Sequence, residues 1–204
     1  MKIPFSRRIS KSDDGSLGDP FFSEYGIARD RIASGDHAGR VEMERLAKAG
    51  SLSAILYLAD ALRTGWLYEK DLELSEEWYR VAVTMGSHRA IYSIGQIQLA
   101  KDEIVEAMNK FRIGVDANYP PSIDSLAGIL YNRIRTESSI KEAKSLWWRA
   151  ASMGHVYAIR NLARLYISGR EGVLLIPFGL IVLIYAGVSF LFNYRYDRYS
   201  YKMR

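Results

Sequence analysis

The chain has 204 residues, 25% charged and 49% hydrophobic, with a formal net charge of +5 and no cysteine. That length suits one compact domain plus a short extra element, and the lack of cysteine excludes disulfides and thiolate metal sites. Arg195, Arg198, Lys202 and Arg204 against Asp197 supply +3 of the charge, so the excess sits at one end and marks no nucleic-acid surface.

Residues 1–18 read as a flexible polar tail. Ser6-Arg7-Arg8-Ile9-Ser10-Lys11 superficially resembles a twin-arginine export core. An export signal needs an apolar run next, whereas Ser12-Asp13-Asp14-Gly15-Ser16 is polar and acidic. Helical signals then begin. Asp19-Pro20 reads as an N-cap with proline in the first turn, and Asp36 caps a helix starting near Ala38. Pro120-Pro121 fits a helix start and not an interior. Ser139 with Glu142 reads as a capping box. No sustained alternation with period two occurs, so almost no strand is predicted.

A pattern recurs from Gly50, Gly86, Asn118 and Gly154, at spacings of 36, 32 and 36 residues. Four residues on stand Ala54, Ala90, Ser122 and Ala158. Eight and nine on stand Leu58-Ala59, Ile94-Gly95, Leu126-Ala127 and Leu162-Ala163, and twelve on Leu62, Gln98, Leu130 and Tyr166. Four before each start stand Leu46, Ala82, Gly114 and Ala150; seven before, Met43, Tyr79, Phe111 and Trp147; eleven before, Gly39, Ser75, Ala107 and Ala143. Each unit thus has two apolar stripes at helical spacing, one after the start and one before the next start. Small residues on one stripe and bulky ones on another let two helices approach and interlock. A plain antiparallel bundle has no reason to repeat at one period, so a repeat architecture is the reading.

The stretches Ala49-Gly50-Ser51-Leu52-Ser53-Ala54 and Met153-Gly154-His155-Val156-Tyr157-Ala158 resemble the entry to helix A of the Sel-one-like repeat, a branch of the tetratricopeptide-type helical hairpins. Ser75-Glu76-Glu77-Trp78-Tyr79-Arg80 and Ala143-Lys144-Ser145-Leu146-Trp147-Trp148 resemble its helix B. The glycine that closes helix A in that family is present as Gly65 and Gly169, while Lys101 and Arg133 stand there in the middle repeats. The resemblance covers roughly residues 39–169. It implies an all-α fold, a right-handed α-solenoid of antiparallel helix pairs over residues 19–171. For function it implies adaptors and assembly scaffolds.

Residues 173–192 are uncharged and apolar. At 1.5 Å per residue such a helix would reach about 30 Å, the thickness of a bilayer core. The alternative is a buried helix of the solenoid. We expect one transmembrane helix, with the repeats on the cytoplasmic side and a basic, Tyr-rich tail at 193–204. The basic tail runs against the positive-inside tendency; its shortness and Arg160, Arg164 and Arg170 ahead of the helix temper that objection.

No His-Glu-x-x-His, nucleophile-elbow, phosphate-loop or dinucleotide pattern occurs. Ser138-Ser139-Ile140-Lys141 matches Ser-x-x-Lys, but Ser139 is better read as a helix cap. His37, His88 and His155 read as solvated, two of them in loops entering a helix A. Glu76-Glu77 and Glu103 with Glu106 read as an outer charged face. No catalytic residue, metal site, cofactor or small-molecule substrate is expected. The function read is a membrane-anchored scaffold that binds another protein; the alternative is a regulator or immunity-type protein neutralising one partner enzyme or toxin. In stacked hairpins the first helix of each unit lines the concave side. Its face away from the buried offsets carries Leu56, Tyr57 and Asp60, then Tyr92, Ser93 and Gln96, then Asp124 and Ser125, then Arg160, Asn161 and Arg164. Of these, Tyr57, Asp60, Tyr92, Gln96, Arg160 and Arg164 are the candidate partner-binding residues.

Overall fold

A computed structural model describes residues 18–168, 172–184 and 187–188. The tails at 1–17 and 193–204, and Gly169, lie outside the described residues. The helices are α1 Phe22–Ala33, α2 His37–Lys48, α3 Leu52–Thr64, α4 Leu72–Thr84, α5 His88–Ala100, α6 Ile104–Asp116, α7 Pro120–Ile129, α8 Glu137–Ser152 and α9 Val156–Ile167. A π-helical turn, Leu130–Ile134, continues α7. Among the described residues there is no strand, as expected. The chain divides into two compact units, Met1–Ile113 and Gly114–Arg204, with the boundary in the last turn of α6.

Within the first unit α1 packs on α2, α2 on α3, α3 on α4 and α4 on α5; within the second, α7 packs on α8 and α8 on α9. The repeat pattern sets these contacts. Ala54, Ala90, Ser122 and Ala158 are fully buried, as are Met43, Tyr79 and Phe111; Trp147 is nearly so. Small residues allow the approach. Gly39 of α2 sits so close to α1 that a Cβ would lie 2.7 Å from the backbone O of Ala28. Gly95 of α5 would place one 2.7 Å from Cε1 of Phe111.

The turn before each helix A is built one way throughout. Gly50, Gly86 and Gly154 have φ of 94°, 89° and 82°, and Asn118 has 57°. Asparagine tolerates this left-handed conformation better than other side-chain-bearing residues. The next residue's N–H then reaches back to the offset −4 carbonyl: Ser51 to Leu46, Ser87 to Ala82, Tyr119 to Gly114 and His155 to Ala150, at 2.8–3.1 Å. This is the Schellman closure of a helix. Ser51 and Ser87 then cap the following helix by accepting from the N–H of Ala54 and Ala90. Asp36 caps α2 through the N–H of Ala38, and α7 begins at Pro120, both as expected.

Other turns correct the sequence reading. Gly65 closes α3 with φ of 77°, but Lys101 and Arg133 do not play that part. The left-handed residues are Asp102, φ 61°, and Arg135, φ 59°. In the latter repeat the π turn takes up extra chain before the reversal. Ser139 is not the N-cap of α8. Thr136 is, accepting from the Ser139 N–H at 3.1 Å, while the Ser139 hydroxyl is buried and donates to the carbonyls of Leu130 and Thr136. Asp19 does not cap α1 directly. Its carboxylate accepts from the N–H of Phe21 at 3.0 Å, the hydroxyl of Ser51 at 2.8 Å and the N–H of Ser53 at 2.9 Å, so it ties the start of α1 to that of α3.

The expected transmembrane helix over 173–192 is not supported, and residues 185–186 and 189–192 of that run lie outside the described residues. A 3-10 turn, Val173–Leu175, leads into a helix over 176–184, and 187–188 are helical. No helix among the described residues is long and apolar enough to cross a membrane. The single-pass location, with the repeats assigned to the cytoplasmic side, falls with it. At the start of the run two residues meet α9, while Leu174, Ile181 and Ile184 are exposed. A Cβ on Gly179 would lie 2.9 Å from the backbone N of Ile167, and the Phe178 ring meets Tyr166 edge-on at 5.3 Å.

Two outcomes test this packing. Ala90→Leu overfills a closed contact and lowers stability by about 1–3 kcal/mol in a denaturant titration; an unchanged midpoint would contradict the register. Arg135→Gly relieves a left-handed residue and raises stability by about 0.5–1 kcal/mol, and a loss of stability would contradict the turn.

Candidate functional site

The helix-A face of the first unit gathers aromatic rings and guanidinium groups. Tyr25 of α1 meets Tyr57 of α3 edge-on at 6.1 Å, and Tyr57 meets Trp66 edge-on at 5.6 Å. Trp66 follows the glycine that ends α3 and is 56% exposed. The Arg29 guanidinium lies over the Tyr25 ring at 6.0 Å. Burial first, then Tyr25, pushes the Tyr57 phenol up to about 12, so it stays a neutral hydroxyl at physiological pH.

Asp60 was expected to face a partner as a free acid. It is instead the centre of a network. It accepts from the Tyr79 hydroxyl, from Arg63 at 3.3 Å and from Arg89. Burial, then the Asp60 carboxylate, raises the Tyr79 phenol to about 12. The carboxylate is 25% exposed, against 36% for Arg63 and 37% for Arg89. What this network shows to solvent is therefore more guanidinium than acid. The sequence pattern cannot show this, because Arg89 and Tyr79 lie on other helices.

The other first-unit candidates are less open than the helical spacing suggests. Tyr92 and Gln96 are half-buried, with the Tyr92 ring 5.8 Å from that of Phe111. Leu56 and Ser93 are buried. Trp66, Tyr25 and Arg89 were missed: Trp66 lies in a loop outside the repeat offsets, and Tyr25 lies before the first repeated glycine.

In the second unit Asp124 accepts from the Asn161 side-chain amide at 2.9 Å, and His155 Nε2 lies 3.7 Å from its other oxygen. The Arg160 guanidinium stacks over Tyr157 at 5.0 Å. Arg164 is exposed. It borders a groove of about 310 Å³ lined also by Tyr131, Asn132, Trp147 and Asn161. Among the described residues no group of three His, Asp or Glu is placed to hold a metal ion.

No protein-family model matches the sequence, and no curated protein matches it. Solved structures do. The Sel1 repeat protein from Oxalobacter formigenes superposes with a TM-score of 0.66 at 20% identity, over 80% of this chain and 72% of that one. The c5321 protein, a protective antigen present in uropathogenic Escherichia coli strains and displaying an SLR fold, superposes at 0.64 and 15% identity, over 83% of this chain and 39% of that one. The immunity protein Pa5087 from Pseudomonas aeruginosa reaches only 0.43 at 15% identity, over 80% of this chain and 81% of that one. The likeness to the first two is one of fold: this chain has the helical-hairpin architecture of Sel1-repeat proteins.

Proposed function

We propose that the protein is a non-catalytic scaffold that binds another protein, and that the partner docks on the aromatic face of the first unit. The observation that carries this reading is the chain of rings from Tyr25 through Tyr57 to the exposed Trp66, beside the guanidinium groups of Arg63 and Arg89. Tryptophan, tyrosine and arginine are the residue types that dominate interface hot spots. The rings are already ordered by edge-on contact, and Asp60 holds both arginines in place. A partner therefore meets a surface whose side-chain entropy is largely spent before binding.

The charge of this surface selects the partner. Asp60 is neutralised within the network, so the matching segment presents an apolar or aromatic side chain with carboxylates beside it. Of the six candidates, Tyr57 belongs to this face directly and Asp60 acts by positioning. Tyr92 and Gln96 are half-buried on α5. Arg160 and Arg164 form a separate patch in the second unit.

A double substitution of Tyr57 and Trp66 to Ala tests the reading. Capture of the wild-type partner from a lysate falls at least tenfold, because hot-spot truncations cost on the order of 2 kcal/mol or more each. The circular dichroism stays helical. Equal recovery of the same partner would overturn the assignment of this face.

A further inference from the structure

We propose that the groove between the π turn, α8 and α9 is a receptor for one carboxylate side chain, a Glu or Asp, of the bound protein. This rests on the scaffold reading above and adds a second, chemically distinct contact in the second unit.

Three observations converge there. First, Trp147 lines the groove, is only 3% exposed, and its indole N–H has no hydrogen-bond partner. A buried donor left unpaired costs roughly 1–3 kcal/mol, and such donors are rare in native proteins. Second, Arg164 lines the same groove and is exposed, and no described side chain pairs with its guanidinium. Third, the other polar groups are partly used in a way that leaves donors over. The Asn132 amide gives one N–H to the Gly128 carbonyl at 2.9 Å and keeps a second. The Asn161 amide is turned to Asp124. The Ser168 hydroxyl donates to the Leu165 carbonyl at 2.6 Å.

The donors left over are thus one cation, Arg164, and neutral N–H groups of Trp147, Asn132 and Asn161, beside the amide oxygens of the two asparagines. An ionised carboxylate matches these donors in charge and in accepting only. Asp124, the acid in contact with the groove residue Asn161, does not fill the role, because it is held by Asn161 and flanked by His155. The groove volume of about 310 Å³ lies at the small end for ligand sites, which suits a single side chain. The indole N–H lies beneath the surface, so the carboxylate reaches it directly or through one bridging water. The π turn takes part in the site. It is the irregular segment of α7, and two groove residues, Tyr131 and Asn132, belong to it; such turns recur at functional sites.

The test is an amide and indole NMR titration of the full chain. The Trp147 indole signal is assigned by its loss in Trp147→Phe. The probe is N-acetylglutamate α-amide, with N-acetylglutamine α-amide as the uncharged control and N-acetylglycine as a chain-end carboxylate. The glutamate probe shifts the Trp147 indole signal saturably, with Kd on the order of 1–10 mM; the glutamine probe does not, and Arg164→Gln weakens the response at least fivefold. A stationary Trp147 signal, an equal response to the glutamine probe, or a response unchanged by Arg164→Gln overturns the proposal. A response to N-acetylglycine alone overturns the side-chain assignment. The Tyr57 and Trp66 substitutions leave this titration unchanged, so failure here and failure of the aromatic face are read separately.

Discussion

The closeness of neighbouring helices at small residues is the constraint on which the rest of this structure depends. A glycine in a helix interior costs about 1 kcal/mol relative to alanine, so its presence needs a reason. At Gly39 the reason is the α1 backbone, and at Gly95 it is the Phe111 ring. At Gly114 a Cβ would fall 2.4 Å from the Cβ of Ser122. At each point the space of the missing side chain is taken by an atom of a neighbouring helix. The bulky partners Met43, Tyr79, Phe111 and Trp147 then fill the space that the small residues open.

That packing also places the functional groups. Tyr79 is the bulky residue of its repeat, yet its hydroxyl reaches Asp60. One side chain thus closes the core with its ring and fixes an ion network with its oxygen. Trp147 occupies the same offset in the last full repeat. There the ring is buried as the repeat requires, but the N–H finds no acceptor. The repeat dictates a large aromatic group at this offset and leaves its polar atom to local circumstance. In one unit that atom is satisfied within the fold; in the other it finds no partner there.

Much of the fold was legible in the sequence because the period is carried by burial. Every offset that the pattern marked at four and eight after the glycine, and at four, seven and eleven before it, lies inside. The turn after helix A was legible at Gly65 but not in the two middle repeats, where the left-handed residues are Asp102 and Arg135, types that give little local signal. The capping box at Ser139 misled because Thr136 stands three residues earlier and caps better placed N–H groups. The apolar run from 173 suggested a single-pass location that no described helix is long and apolar enough to provide. Hydropathy alone does not distinguish a helix facing lipid from one whose start packs through Gly179 and Phe178 onto α9. For the site, helical spacing located the face carrying Tyr57 but not the state of Asp60, which depends on residues of two other helices.

The central claim, that small residues are required by the close approach of the neighbouring helix, is tested most directly by a double-mutant cycle on Gly95 and Phe111. In the wild-type background Gly95→Ala forces a Cβ into the Phe111 ring, and overpacking of about 1–3 kcal/mol outweighs the gain of about 1 kcal/mol in helix propensity. In a Phe111→Leu background the ring edge is gone, and Gly95→Ala becomes neutral or stabilising. The expected coupling between the two positions is at least about 1 kcal/mol, measured by denaturant unfolding. Additive effects within about 0.3 kcal/mol would show that the two residues do not meet as described, and would contradict the claim.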